Sequence, residues 1–307
     1  MRAILLYNAK AGTAASEAEL VRGLRDLGWS VDVCEHIEGV DEALENGAEV
    51  VVAAGGDGTV ATVAKRLAGT AVPMAIIPMG TANNVARSLG LGADPHAAMA
   101  GLANTMTRYV DMGCVSTGPT HEYVLEGLGV GLFAYVLGEL ASEKHKEPRI
   151  ALRLLADALV AYEPIYLDLE VDGRDLSGEY LLAAVMNAQS LGPGLRFAPR
   201  ATCEDGKLDV VLVRPEARKS LTAQLRDAAK GGEVHLAGFE ALRARRVRLR
   251  ADGAWGHFDD RPRALAGVVT VAVVEGAVSL LAPWAGTKPP PTDAAGAGSA
   301  DGSVAGG

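Results

Sequence analysis

Cysteine is scarce in this 307-residue chain: Cys34, Cys114 and Cys203 lie far apart and share no metal-ligand spacing. A disulfide framework and a cysteine zinc site are therefore not expected, and a reducing compartment is. Aromatic residues make up only 5% of the chain, whereas alanine and glycine are abundant, so the core must rest on aliphatic and small side chains. Positive charge is short as well. The formal net charge of −9 argues against general nucleic-acid binding, which needs broad basic surfaces. No apolar run approaches the ~18 residues of a membrane span, and the opening MRAILLYN is too short for a secretory signal and leads directly into a strand. A cytoplasmic protein able to touch the inner face of the membrane is expected. The phosphate motif G-x-x-x-x-G-K-[ST] is absent, as are the elbow G-x-S-x-G and any histidine pair with catalytic or zinc spacing. A P-loop NTPase is thereby set aside.

What is present begins with VVVAAGGDG over Val50–Gly58, followed by Thr59. An apolar strand that switches into Gly-Gly-Asp-Gly-Thr predicts a tight turn whose peptide N–H groups can approach a phosphate, because glycine has no Cβ. The helix pattern starting near Thr59 would aim its positive end at the same anion. Asp57 in that turn suits magnesium or the proton of a hydroxyl, but it would serve equally as an ordinary turn or N-cap residue. Pro78–Asn84, reading PMGTANN, repeats the theme one strand later. Neighbouring parallel strands would bring both turns to one sheet edge, where ligands of such sheets bind. Asn8–Thr13 follows the first strand; Asn8 can reach a phosphate or ribose, or close a plain βα turn.

The first 110 residues alternate strand and helix patterns. Strands are expected at Ala3–Tyr7, Trp29–Cys34, Glu49–Ala54 and Val72–Ile77, with helices at Ala14–Leu27, Val40–Asn46, Val60–Leu67, Thr81–Leu89 and Pro95–Met106. After Asp111 strands dominate: Val110–Val115, His121–Leu128, Ile165–Val171, Tyr180–Ala184, Leu208–Val213, Val247–Arg250, Val268–Val274 and Val278–Leu281. Helices are expected over Leu132–Ser142, from Pro148 with a stripe of Ile150, Leu154, Ala158, Leu159 and Tyr162, and over Ala217–Ala229. The fold class is α/β: a βαβ parallel-sheet nucleotide domain (1–110), then a mostly antiparallel β-rich domain (111–284). Residues 285–307 are low-complexity and expected to be disordered.

Taken in order, these motifs resemble the diacylglycerol kinase catalytic family. Asn8–Thr13, Gly55–Thr59, Pro78–Asn84, Asp111-Met112-Gly113, Ala198-Pro199 through Asp205-Gly206-Lys207-Leu208-Asp209, and Ala282-Pro283 follow the family's sequence of motifs over nearly the whole chain. The resemblance implies an N-terminal ATP domain, a β-rich lipid-binding domain and an active site between them. It maps Asn8, Gly55, Gly56, Gly58, Thr59, Gly80, Thr81 and Asn83 onto the nucleotide site. Asp57 maps onto the acid that handles magnesium (Mg2+) or the acceptor hydroxyl. Asp205, with backbone oxygens near Thr202 and Lys207, maps onto a structural magnesium site, although Asp-Gly is also a common turn. Leu128, Leu132, Phe133 and Val136 are expected to line the space for the acceptor's apolar part. A homodimer is left open.

Four departures stand out. Ala9 and Ala11 replace the usual Pro and Ser, Ala61-Thr62 replaces Asn-Glu, and Asn84 stands where Asp is commoner. The family's closing Asp-Gly-Glu falls near Asp259-Asp260-Arg261, without its glutamate. Either Asp57 then takes the proton, Asp259 or Asp260 substitutes, or lipid kinase activity is lost, leaving a kinase of the same fold for a non-lipid hydroxyl metabolite or a nucleotide- or lipid-binding protein without catalysis. Gly129–Ala134 fits a G-x-G-x-x-A fingerprint, but outside the βα half it reads as close packing of strand on helix. Arg246, Arg248 and Arg250 on one strand face, and Lys144-His145-Lys146, are solvated charge or contacts for anionic lipid.

Overall fold

The computed structural model describes residues 1–11, 15–140, 148–192, 195–230 and 239–284. Gly12, Thr13, the Lys144–Lys146 segment and the expected tail lie outside these residues. The chain opens with β1 (Arg2–Tyr7), α1 (Glu17–Asp26), β2 (Ser30–Cys34), α2 (Ile37–Glu45), β3 (Val50–Gly55), α3 (Asp57–Leu67), β4 (Met74–Pro78), α4 (Asn84–Ser88) and α5 (Pro95–Gly101). Strands β2, β1, β3 and β4 pair in that order, all parallel. Every residue of β3 and β4 is buried, as helices on both faces of a parallel sheet require. α1 starts on a capping box, in which Ser16 and Glu19 each bond the other's backbone N–H.

The second half contains β5 (Thr105–Thr117), β6 (Thr120–Val124), β7 (Gly127–Gly131), α6 (Leu132–Leu140), α7 (Pro148–Ala161), β8 (Ile165–Val171), β9 (Arg174–Asp175), β10 (Gly178–Tyr180), β11 (Leu182–Met186), β12 (Leu208–Val213), α8 (Arg218–Ala229), β13 (Glu240–Ala244), β14 (Arg246–Arg250), β15 (Trp255–Phe258), β16 (Arg261–Ala264) and β17 (Val268–Pro283). One antiparallel sheet runs β13-β12-β11-β7-β15-β16. The strands β10, β8, β14 and β17 continue the parallel sheet beyond β4, through a parallel bridge from Leu280 to Met74. The expected division after residue 110 therefore falls inside β5, which pairs with β17 along almost its full length.

Strand alternation sorts the core into layers. On β11, Ala183 and Val185 face β8, β14 and β17 across a sandwich, while Leu182, Ala184 and Met186 face α6, α7 and α8. Several boundaries differ from the sequence expectation. Pro95–Met106 is helical only to Gly101, because Thr105 and Met106 already pair with Pro283 and Ala282. The two final strands are one, β17, with an irregularity between Val274 and Val278. On α7 the buried stripe is Leu152, Leu155, Ala156 and Leu159, whereas Ile150 and Leu154 stand exposed. β13, β15 and β16 were not legible: they are short, charged or interrupted by Gly256 and Pro262.

Candidate active site

Register places the two glycine turns side by side, since Gly55 pairs with Pro78 and Met79 N–H donates to Gly55 C=O at 2.9 Å. A Cβ on Gly80 would sit 2.6 Å from Gly56 Cα, and one on Gly55 would sit 2.4 Å from Thr59 Oγ1. Only glycine permits this backbone-to-backbone approach. Asn83 locks the second turn: Gly80 N–H donates to its Oδ1 at 2.9 Å and its Nδ2 donates to Gly80 C=O at 2.8 Å. Asn83 holds the left-handed conformation (φ 50°) that asparagine tolerates better than most residues. Asn8 closes the other side by donating from Nδ2 to Thr59 Oγ1 at 3.0 Å. Thr81 is exposed beside Gly80.

Asp57 is the first residue of α3, and its Oδ1 accepts the Val85 N–H at 3.0 Å. Burial raises its pKa, against the lowering pull of backbone N–H groups from Val85, Asn84 and Asn83. The sequence reading missed Glu126, which lies between β6 and β7 and is 5% exposed. Its Oε2 accepts from Asn84 Nδ2 at 3.1 Å. Burial pushes its carboxyl well above the usual range, and the charges of Asp57 and Asp259 push the same way. No motif marks an isolated Leu-Glu-Gly; only the fold brings it to the acids.

Asp259 opens the two-residue turn between β15 and β16 with φ 52°. Its Oδ1 accepts N–H bonds from Leu125, Glu126 and Gly127 at 2.9, 2.8 and 3.3 Å. Its Oδ2 lies 2.6 Å from Lys65 Nζ of α3. Asp259 is thus the clamp between α3, the 125–127 turn and the β15–β16 hairpin. Asp260 is exposed, and a Cβ on Gly58 would stand 3.4 Å from its Oδ2. Asn8, the two turns, Asp57, Asp259 and Asp260 are brought to one edge, with Glu126 behind them.

The Asp205 group is separate from this cluster in its contacts. Its carboxylate is ion-paired with Arg243 and accepts the Lys207 N–H at 3.1 Å, so a cation already occupies its charge. Thr202 adds no acid, so the expected site would rest on one carboxylate and backbone carbonyl groups. Next to it Asp111 fixes two turns, accepting from Gly206 N–H at 2.7 Å and Gly276 N–H at 2.8 Å.

The residues expected to line an acceptor space are packed instead. Leu128, Leu132, Phe133 and Val136 are at most 3% exposed within the core clusters. The G-x-G-x-x-A segment is close packing: a Cβ on Gly129 would lie 2.3 Å from His257 Nε2. Burial holds that imidazole's pKa at about 4, so it is neutral. Arg246, Arg248 and Arg250 form an exposed face, with Arg250 paired to Asp252 at 2.7 Å.

Comparison with known proteins agrees with this arrangement. Residues 2–115 match the diacylglycerol kinase catalytic domain, and residues 142–282 match the YegS C-terminal NAD kinase beta sandwich-like domain. A diacylglycerol kinase of Mycobacterium tuberculosis is 30% identical over 216 residues, covering 69% of this chain and 70% of its own. A Stenotrophomonas maltophilia protein named "Probable lipid kinase YegS-like" is 33% identical over 218 residues, covering 68% and 69%. Two solved structures share the fold over 92% of this chain. A Bacillus anthracis diacylglycerol kinase does so at TM-score 0.68, 18% identity and 96% of its length. An Archaeoglobus fulgidus NAD kinase in complex with ATP does so at TM-score 0.54, 17% identity and 94% of its length. By sequence, this chain belongs to the diacylglycerol kinase family, joining that catalytic domain to a YegS-type β-sandwich.

Proposed function

We propose that the chain is an ATP- and magnesium-dependent kinase that phosphorylates a hydroxyl of a diacylglycerol- or sphingoid-like lipid. The observation carrying this reading is the contact of the Gly55–Thr59 and Gly80–Asn83 turns at the start of α3, with Asp57 between them. Nucleotide phosphates would lie on these turns, favoured by the positive end of α3. Asp260, whose carboxylate stands beside Gly58, would hold a magnesium ion, which commonly needs only one or two protein carboxylates when phosphates are bound. When bound, that ion neutralises charge on the phosphoryl group.

The acceptor oxygen attacks the γ-phosphorus, the bond to the β,γ-bridging oxygen breaks, and ADP leaves with that electron pair. The hydroxyl proton passes to Asp57, whose raised pKa makes it a better acceptor than an ordinary aspartate. Asp259 has its carboxylate engaged on both oxygens, so it acts as a positioning residue. Transfer of label from γ-labelled ATP to a panel of diacylglycerols and sphingoid bases tests the reading. Product from the native chain, lost in Asp57→Asn, is expected.

A second reading, a nucleotide- and lipid-binding protein without transfer, is favoured by Arg261 at the third position of the closing motif. ATP binding with no labelled product from any acceptor would select it.

A further inference from the structure

Among the described residues nine large hydrophobic side chains are exposed, and five of them sit on three neighbouring elements: Tyr135 on α6, Ile150, Leu154 and Val160 on α7, and Trp255 on β15. α6 packs against both α7 and β15. Tyr135 stacks obliquely with Tyr162, centroids 5.8 Å apart. Trp255 lies over Gly138, where a Cβ would be 3.7 Å from its ring. The opposite side of α7 is already satisfied by Leu152, Leu155, Ala156 and Leu159 in the core. Ile150 and Leu154 therefore form a second apolar stripe with no core to enter. Arg149 and Arg153, both exposed and themselves spaced i,i+4, form a basic stripe on the flank of the apolar one.

We propose that the outer face of α7, with Trp255 and Tyr135 beside it, docks on an anionic lipid bilayer. Aliphatic tips enter the acyl boundary, arginines meet lipid phosphates, and indole and phenol rings suit the headgroup level. Opposition from the overall charge of −9 is largely screened beyond a Debye length of about 8 Å, so the charges at the contact face govern docking. Asp157, the acid on the same face, faces Arg226 of α8 at 3.8 Å. The proposal rests on this surface alone and not on the kinase reading. The two meet in that the hairpin bearing Trp255 also carries Asp259 and Asp260.

Co-sedimentation of the full chain without nucleotide, on phosphatidylglycerol–phosphatidylcholine vesicles and on pure phosphatidylcholine vesicles, tests it. Binding to the anionic vesicles only is expected, weakened about fivefold for each arginine in Arg149→Gln and Arg153→Gln. Ile150→Ser with Leu154→Ser should also weaken it at least fivefold, with an unchanged melting temperature. Equal binding by these variants, or no binding to anionic vesicles by the native chain, overturns the proposal. So does light scattering that shows a dimer dissociated by Ile150→Ser and Leu154→Ser without vesicle binding, which would make the face a contact between copies.

Discussion

Asn84 donates its side-chain amide to the buried carboxyl of Glu126 at 3.1 Å, and a second bond from the same nitrogen reaches Gly192 C=O at 2.9 Å. α4 is thereby tied to both the 125–127 turn and the segment after β11. The asparagine that departs from the family pattern thus has a local reason: an aspartate there would lose the donor serving Glu126 and Gly192 and add a carboxylate to a buried acidic cluster. Asn84→Asp should destabilise the fold by about 1–3 kcal/mol. Glu126→Gln in the same chain should recover most of that loss, as read in a urea-denaturation double-mutant cycle. Additive effects would show that the pair is not coupled.

Glu126 itself gives a pH signature. Its carboxyl has a raised pKa in the fold, so the folded chain binds its proton more tightly than the unfolded chain does. Its penalty is absent below the unfolded pKa and grows as pH rises towards the folded pKa. Glu126→Gln should therefore gain stability over the native chain as pH rises from about 4.5, by at most about 1.4 kcal/mol per pH unit. Parallel melting curves from pH 4.5 to 8 measure it. A constant difference across that range would contradict the assignment.

Lys65 and Asp259 make a different prediction, because their carboxylate is 3% exposed and depends on the ammonium for one oxygen. Lys65→Met leaves a buried charge uncompensated and should cost about 3 kcal/mol or more. Asp259→Asn on the Lys65→Met background should restore part of it, since the neutral amide oxygen can still accept the turn's N–H groups. Chemical denaturation of the three variants decides the point.

The contact between the glycine turns leaves no room for a side chain. Gly80→Ala brings a methyl to 2.6 Å from Gly56 Cα, which backbone cannot avoid without shifting. An overpacking cost of about 1–3 kcal/mol is expected, together with loss of the thermal shift produced by Mg-ATP in the native chain. Gly28→Ala, at a helix end with open space around it, should leave the nucleotide-dependent shift intact.

How much of this was legible follows from local physics. β3 and β4 announce themselves as continuous apolar runs broken by glycine, and their adjacency follows from βα alternation, so the paired turns could be foreseen. Ile165–Val171 alternates apolar and polar residues and Leu208–Val213 is nearly all apolar, and both strands have the expected bounds. Glu126 could not be foreseen, because its burial depends on α4, β7 and the β15–β16 turn meeting from distant parts of the chain. The Ile150–Leu154 stripe was misread because its spacing fits a core face as well as the true one does; only the packing of α8 on Leu155 and Leu159 selects between them. Asp205 was read by motif alone, and Arg243, in an unrecognised strand, supplies the charge that the motif cannot display.

Phosphoryl transfer by the native chain and by Asp57→Asn, with γ-labelled ATP, magnesium and a lipid panel, tests the central claim most directly. The account predicts labelled lipid from the native chain and at least about a hundredfold less from the variant, the scale of a lost general base, with the Mg-ATP thermal shift retained. Equal product from both proteins would contradict it.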